Sequence, residues 1–219
     1  MGRDAGWLTA AAALPSLSGI APDLVYLPEV PFDYDKFYED IAAAFERHPN
    51  VVVAVSEGVR TADGTYVGEG TQSGAVDVFG HKYLSGTGKA LELAVKEKFG
   101  CKVRSVELNL PQRCAAHIRS KTDIEESVMV GKAAANYAVG GETGKMTCFV
   151  RTSTEPYKCE AGLCDIASVA NAVRSVPREF ITERGNNVTA ECVNYIAPLI
   201  MGEADCTYKN GLPDFITLK

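Results

Sequence analysis

The sequence lacks the usual marks of a membrane protein, a zinc protein and a dinucleotide-dependent enzyme. No apolar run approaches the roughly 20 residues that a membrane-spanning helix requires. The seven cysteines are irregularly spaced and contain no Cys-x-x-Cys pair, a pattern that favours reduced thiols in a cytoplasmic protein over a zinc site. No Gly-x-Gly-x-x-Gly run occurs, which excludes an oxidoreductase built on that motif.

Two further absences concern nucleotides and nucleic acids. The run Gly86-Thr87-Gly88-Lys89 has the ending of a P-loop, but Tyr83 and Ala90 stand where that motif needs Gly and Ser or Thr. The formal net charge of −6 argues against nucleic-acid binding. A negative chain can still bind small anions, because a phosphate site is a local cluster of arginines and backbone N–H groups.

What the sequence does contain is the composition and periodicity of an α/β protein. The 219 residues are 46% hydrophobic and 23% charged, enough apolar material for a substantial core. The apolar pattern alternates between helical and strand periods, which predicts an α/β fold with a mainly parallel sheet. We predict strands over Leu24–Leu27, Val51–Val55, Val103–Leu108 and Met146–Val150, with Val51–Val55 buried on both faces. We predict helices over Asp4–Leu14 (ended by Pro15), from the N-cap Asp33 to His48, and over Thr87–Phe99, Thr122–Val139, Asp165–Val173 and Thr189–Met201.

The first residues, Met1-Gly2-Arg3, suit an anion site. An arginine behind a flexible glycine stands at the entrance of a predicted helix. The unpaired N–H groups of a helix N-terminus favour negative charge, and the guanidinium adds a forked pair of donors. These residues are therefore candidates for binding a phosphate.

A second group of candidate residues follows the predicted strands. Glu57 comes directly after Val51–Val55, Arg104 lies early in the next predicted strand, and Arg113 lies just past its end. Ligands of open α/β sheets bind beyond the carboxyl ends of the strands. One carboxylate with several arginines suits a sugar phosphate, because the arginines bind the phosphate and the carboxylate accepts hydrogen bonds from hydroxyls.

These segments resemble the phosphofructokinases. Met1-Gly2-Arg3 is similar to the Met-Gly-Arg motif of that family, and the continuation Asp4–Thr9 is similar to its pyrophosphate-dependent branch. The resemblance also covers Val52–Gly58 and Val103–Asp123. It implies a Rossmann-like, three-layer substrate domain. In the family the Met-Gly-Arg motif lies mid-chain, after a lobe that binds the phosphate donor, so we expect this chain to be the sugar-phosphate half of such an enzyme.

The resemblance implies a role for each candidate residue. Met1, Gly2 and Arg3 would bind fructose 6-phosphate, and Arg3 would also stabilise the phosphoryl group in transfer as the catalytic residue. Glu57 would accept hydrogen bonds from the sugar. Arg104 would reach the 6-phosphate in a neighbouring subunit, and Arg113 would bind that phosphate within its own subunit. One position departs from the family pattern, since Leu110 stands where Tyr or His is common.

The family also uses segments that are absent from residues 1–219. These are a Gly-rich phosphate loop and a Thr-Ile-Asp-Asn-Asp segment whose first aspartate deprotonates the attacking hydroxyl. The resemblance therefore implies a parent kinase of glycolysis that uses Mg²⁺ and pyrophosphate to make fructose 1,6-bisphosphate, with no metal ligands in this chain and no activity of the chain alone. It further implies a cytoplasmic homo-oligomer.

The same resemblance suggests how the chain is divided. We expect a fructose-6-phosphate-binding lobe over 1–113, a segment over 114–151 that packs on the donor lobe, and an α-rich extension over 152–219. Two alternatives use the same residues: a sugar-phosphate-binding module without chemistry, and half of an ATP-dependent phosphofructokinase.

Overall fold

The computed structural model describes residues 4–69, 86–214 and 216. These residues form two compact units. Unit 1 consists of the described residues of Met1–Glu107 together with Val173–Asn194, and unit 2 consists of those of Leu108–Ala172 and Tyr195–Lys219. The boundaries expected from the sequence, after residues 113 and 151, stay a prediction about how a larger protein would divide.

Unit 1 is built on a short parallel pair of strands. Strand β1 (Leu24–Tyr26) lies beside β2 (Val53–Val55) in a register that pairs Leu24 with Val53 and Tyr26 with Val55. The helices of this unit include α1 (Trp7–Ala10), α2 (Tyr34–Arg47) and α3 (Thr87–Phe99), with 3-10 helices over Ala11–Ser18, directly after α1, and over Arg178–Phe180.

Helix α2 follows its sequence signals closely. The carboxylate of Asp33 accepts hydrogen bonds from the N–H groups of Asp35 and Lys36 at 2.9 and 3.2 Å, which satisfies two donors of the first turn. Phe37, Ile41 and Ala44 recur at helical spacing and are all buried. The predicted N-cap and helix are confirmed.

The core of unit 1 is aromatic at its centre. The Phe37 side chain is 1% exposed, and its ring centre lies 5.4 Å from that of Tyr26 and 5.2 Å from that of Phe32. Leu91 and Val95 of α3 belong to the same buried cluster. The parallel pair is therefore covered by side chains from both long helices of the unit.

Three predictions for unit 1 are wrong. The helix predicted over Asp4–Leu14 begins only at Trp7, and Pro15 does not end it, because the chain continues as a 3-10 helix to Ser18. The proline φ of about −65° fits a 3-10 helix, and the turn ends instead at Gly19, whose φ of 73° is left-handed. Strand β2 is half-buried, not buried on both faces.

The third error is the strand predicted over Val103–Leu108, which forms no strand in the structure. The carboxylate of Glu92, on α3, accepts hydrogen bonds from the N–H and hydroxyl of Ser105 at 3.0 and 2.6 Å. The Glu92 side chain thus takes the place of a neighbouring strand as the partner of Ser105. Alternation alone could not distinguish these two arrangements.

Unit 2 carries the longest strands and the longest helix of the described residues. Strands β3 (Lys145–Thr154) and β4 (Tyr157–Asp165) pair antiparallel as a hairpin beside α5 (Lys121–Val139). The predicted helix over Thr122–Val139 is confirmed, whereas the strand predicted over Met146–Val150 is one part of this longer hairpin. The remaining elements are α4 (Asn109–Arg113), α6 (Ile166–Val169), α7 (Ala190–Ile196, which begins in unit 1), β5 (Tyr208–Lys209), β6 (Leu212–Pro213) and 3-10 helices over Ala116–Ile118 and Ala197–Ile200.

The mixture of helices with parallel and antiparallel strands confirms the α/β class. The parallel pairing is confined to β1 and β2 among the strands of the described residues, and the longest ladder is antiparallel. No helix within the described ranges is both long and apolar enough to cross a membrane.

Candidate functional site

The three N-terminal candidates, Met1, Gly2 and Arg3, lie outside the described residues. The described chain begins at Asp4, and the residues Asp4-Ala5-Gly6 separate Arg3 from the start of α1 at Trp7. The helix that the sequence predicts from Asp4 therefore begins at Trp7. Helix α1 is a single turn of four residues, which is too short for its N-terminus to be proposed as an anion site.

Glu57 lies at the carboxyl end of β2, on a turn that the core holds in place. The N–H of Ser56 donates to the carbonyl of Tyr26 in β1 at 3.0 Å, and the hydroxyl of Thr87 donates to the carbonyl of Glu57 at 3.1 Å. Ser56, Thr87 and the nearby Val59 are buried, whereas the Glu57 side chain is exposed. The backbone of this residue is thus fixed while its side chain is exposed.

Arg104 lies in the extended segment that follows α3. Its neighbour Ser105 is held by Glu92, and the carboxylate of Glu107 accepts from the N–H of Gly86 at 3.2 Å. The first turn of α3 therefore contacts both the segment of Arg104 and, through Thr87, the turn of Glu57. The Arg104 side chain is exposed and makes no ion pair within the described part of the chain.

Arg113 is the last residue of α4 and belongs to unit 2, whereas Glu57 and Arg104 belong to unit 1. Its side chain is exposed and has no hydrogen-bond or ion-pair partner among residues 4–69, 86–214 and 216. Leu110, the departure from the family pattern, lies on the same short helix and is also exposed. Arginines whose charge is not already paired are what an anion site needs before its ligand arrives.

Sequence reasoning missed a cluster formed by Asp4, Arg60 and Tyr66. The guanidinium Nη2 of Arg60 lies 2.5 Å from Oδ1 of Asp4 and donates a hydrogen bond to the hydroxyl of Tyr66. The centre of the guanidinium lies 4.1 Å from the centre of the Tyr66 ring. The sequence carries one indication of this cluster, which is its closeness along the chain to the candidate residues. Arg60 follows Glu57 by three residues, and Asp4 directly follows Arg3.

Glu29 is a second residue that sequence reasoning missed. Its Oε1 accepts hydrogen bonds from the N–H groups of Gly6 and Val176, both at 2.8 Å, and so joins three distant segments of unit 1. A side chain at position 6 would place its Cβ 2.6 Å from Oε2 of Glu29 and 3.0 Å from Cβ of Leu27. Gly6 is therefore required by close approach. Trp7 adds a bond from its indole N–H to the carbonyl of Arg174 at 2.8 Å.

Glu92, on α3, has a carboxyl group whose pKa is strongly lowered by its neighbours. The Lys89 ammonium, 2.5 Å away, and the two donors of Ser105 lower the pKa of the Glu92 carboxyl to about 2. This carboxylate is thus charged at any physiological pH. It anchors the segment of Arg104 and is not itself available as a proton acceptor.

The residues that the structure describes contain no group of three or more His, Cys, Asp and Glu side chains close enough together to hold a metal ion. All seven cysteines are free thiols, and burial raises the pKa of Cys192 to about 11. Unit 2 has an open cleft of about 600 Å³ beside the start of α5, whose lining includes His117, Arg119 and Asp123.

Known proteins match this chain over most of its length. The family model described as phosphofructokinase matches residues 1–121. The pyrophosphate–fructose 6-phosphate 1-phosphotransferase of Methylococcus capsulatus is 41% identical over 219 residues, which is 100% of this chain and 51% of that protein. The enzyme of the same name from Halomonas elongata is 38% identical and is matched over 97% of this chain and 50% of its own length.

A solved structure also matches nearly the whole of this chain. The pyrophosphate-dependent phosphofructokinase of Nitrosospira multiformis superimposes with a TM-score of 0.83 at 35% identity, over 99% of this chain and 50% of that one. The chain thus spans about half the length of the relatives that it matches.

Proposed function

Because the chain belongs to the phosphofructokinase family, we propose that it is the sugar-phosphate half of a pyrophosphate-dependent 6-phosphofructokinase. The parent enzyme would transfer a phosphoryl group from pyrophosphate to the 1-hydroxyl of fructose 6-phosphate, a step of glycolysis. The observation that carries this proposal is that the family match over residues 1–121 spans every candidate site residue.

The candidate residues would contact different parts of fructose 6-phosphate. We propose that Arg113 binds the 6-phosphate and that Glu57 accepts hydrogen bonds from sugar hydroxyls, with Met1 and Gly2 as further contacts. The exposure of both side chains and the lack of a partner for Arg113 in the described structure support these roles. Arg104 would serve the substrate of a neighbouring subunit in a homo-oligomer, a role that its exposed side chain permits.

Arg3 would supply the charge that the transfer step needs. Phosphoryl transfer has a loose transition state, so that catalysis is mostly positioning and charge stabilisation. Loss of one such donor costs about 3–4 kcal/mol of transition-state stabilisation in comparable sites. The described residues do not supply a ligand set for Mg²⁺. We therefore propose that the metal and the pyrophosphate are bound by the half of the relatives that this chain does not span.

Unit 2 offers support for the proposal that residues 114–151 pack on that other half. Val128, Met146, Phe149 and Val150 are all 41% or more exposed. Met146 and Val150 lie on the same face of β3, because residues two or four apart in a strand point to the same side, and such exposed apolar side chains are typical of a surface that is covered by a partner. The free thiols and the family's glycolytic role support a cytoplasmic location.

The binding part of the proposal is tested by calorimetric titration of the chain with fructose 6-phosphate. Arg113→Ala and Glu57→Gln should each lose the binding that the unmodified chain shows. Arg174→Ala, which also removes an exposed arginine side chain, is the matched control and should bind normally. Equal binding by all four proteins would contradict the assigned site.

The transfer part is tested by complementation. The chain alone should show no turnover with pyrophosphate and Mg²⁺. Adding the half of the Methylococcus capsulatus relative that this chain does not match should produce fructose 1,6-bisphosphate. Binding of fructose 6-phosphate without any transfer would favour a sugar-phosphate-binding module.

A further inference from the structure

Ser56 and Thr87 are buried polar residues that contact the backbone around Glu57. Among the residues that the structure describes, the buried polar side chains are Asp40, Ser56 and Thr87, at 7%, 6% and 4% exposure. Burial of a hydroxyl costs free energy unless the hydroxyl gains a polar partner. Two of these three side chains find their partners at a single turn of unit 1, the one that carries Glu57.

The peptide unit between Glu57 and Gly58 is hydrogen-bonded at both of its polar groups. Its carbonyl, which belongs to Glu57, accepts from the hydroxyl of Thr87 at 3.1 Å. Its N–H, which belongs to Gly58, donates to the hydroxyl oxygen of Ser56 at 3.4 Å. One buried hydroxyl therefore donates to this peptide unit while the other accepts from it.

This peptide unit is the centre of a β-turn. The N–H of Val59 donates to the carbonyl of Ser56 at 3.3 Å, so that Glu57 and Gly58 are the two central residues. Glycine at the third position also admits the turn whose central peptide is flipped, because glycine accepts the positive φ that this turn requires. The φ of Gly58 is not positive in the structure. A flip would break the bonds to both hydroxyls, which therefore favour the observed orientation.

Both hydroxyls are attached to parts of unit 1 that the core holds in place. Thr87 is the first residue of α3, whose Leu91 and Val95 belong to the buried cluster. The N–H of Ser56 donates to the carbonyl of Tyr26 in β1 at 3.0 Å. The turn is thus tied to a strand on one side and to a helix on the other.

We propose that Ser56 and Thr87 are positioning residues for the sugar-phosphate site, and that they hold the turn of Glu57 in one conformation before the substrate binds. This inference rests on the proposed function, in which Glu57 accepts hydrogen bonds from sugar hydroxyls. Neither Ser56 nor Thr87 contacts the substrate in this arrangement. A turn that is already ordered loses less conformational entropy on binding, and the sugar is bound more tightly as a result.

The test is calorimetric titration of the chain with fructose 6-phosphate, in parallel with thermal unfolding. Ser56→Ala and Thr87→Val each remove one hydroxyl and should each weaken binding about threefold, because the turn must then be ordered by the substrate. The two changes combined should weaken binding about tenfold. Thr87→Ser keeps the hydroxyl and should bind normally. Equal weakening by Thr87→Ser and Thr87→Val would overturn the proposal.

Asp40→Ala is the control that separates positioning from a general loss of stability. It removes the third buried polar side chain, whose partners Tyr26 and Arg184 lie outside the turn of residues 56–59. This variant should lower the unfolding midpoint and still bind fructose 6-phosphate normally. Weakening of binding by Asp40→Ala to the extent seen in the combined variant would mean that binding follows stability, and would overturn the positioning role.

The outcomes for the two proposals differ. Normal binding by the combined Ser56→Ala and Thr87→Val variant, with loss in Glu57→Gln, would overturn the positioning role alone. Absence of binding by the unmodified chain would overturn the proposed site and the positioning role with it.

Discussion

The two units of the chain bury their apolar residues very differently. Unit 1 encloses an aromatic cluster around Phe37, together with buried side chains from both of its long helices. In the described residues of unit 2, Ile196 is the one buried apolar side chain. Yet unit 2 has the longest described helix and strands, and α5 buries none of its side chains. Regular hydrogen-bonded structure and a hydrophobic core are therefore separable in this molecule.

The difference has a physical cause. The backbone N–H and C=O groups of a β-ladder or a helix are hydrogen-bonded within that element. The free energy of folding, however, comes mainly from apolar surface that is removed from water. Unit 1 supplies that burial itself. Unit 2 leaves Val128, Phe149 and Val150 about half-exposed, which agrees with the proposal that residues 114–151 are covered by a partner. Variants that change the same residue type in both units test this contrast.

The largest effect should come from a pair of phenylalanines. Phe37→Ala, at 1% exposure, should lower the free energy of unfolding by about 3–5 kcal/mol through lost burial and a cavity. Phe149→Ala, at 51% exposure, should lower it by less than about 1 kcal/mol. Urea denaturation measures both, with the fluorescence of the single tryptophan, Trp7, reporting on unit 1. Equal losses would refute the contrast between the units.

The next largest loss of stability should come from breaking a hydrogen bond between a tyrosine hydroxyl and a carboxylate, and each unit offers one such pair. Tyr26 donates to Asp40 at 2.7 Å in unit 1, and Tyr157 donates to Glu126 at 2.6 Å in unit 2. Burial and the acceptor carboxylate raise the pKa of both phenols. Asp40→Ala should cost about 1–3 kcal/mol, because it leaves a buried hydroxyl unpaired.

Glu126→Ala should cost less than Asp40→Ala, since water can replace a partner that is only half-buried. Thermal unfolding of the two variants, measured side by side, gives the comparison. A larger loss for Glu126→Ala would show that unit 2 depends on polar bonds more than unit 1 does.

A smaller effect on the free energy of unfolding should appear at low pH. The folded pKa of Glu92 is about 2, below its ordinary value of 4.5, because the carboxylate accepts bonds from Lys89 and Ser105. Its contribution to stability is therefore complete above pH 4.5 and is lost as the pH falls towards 2. Glu92→Gln should flatten the stability profile across that window.

The control for the pH experiment is Glu125→Gln, which removes the partner of Lys121 in an exposed pair of unit 2 at 3.8 Å. Its unfolding midpoint should follow the pH in parallel with that of the unmodified chain. A flattened profile in this variant as well would mean that the effect does not belong to Glu92.

The smallest change in stability should accompany a change in association. Phe149→Ser should reduce self-association of the chain, measured by sedimentation velocity, if the apolar surface of unit 2 mediates it. Leu93→Ser in α3 of unit 1 removes an apolar side chain of the same 51% exposure and is the matched control. Equal reduction by both variants would contradict a special role for unit 2.

Much of the fold could be predicted from local signals. The N-cap at Asp33 and the helices predicted over Thr87–Phe99 and Thr122–Val139 depend on residues close in sequence, and each prediction agrees with the structure. The strand predicted over Val103–Leu108 failed because its hydrogen-bond partner is Glu92, a side chain on another element. For the site, Glu57 and Arg113 could be nominated by their places after predicted elements, and their roles stay predictions.

The helix and strand signals, the α/β class and the residues that resemble a phosphofructokinase could be recognised in the sequence, because all of these depend on neighbouring residue types. Contacts between distant segments became visible only in the folded chain. They bring Asp4 to Arg60, join Gly6 and Val176 through Glu29, and leave α5 without a fully buried side chain. The physical reason is that burial and long-range hydrogen bonds depend on which surfaces meet, and no local pattern carries that information.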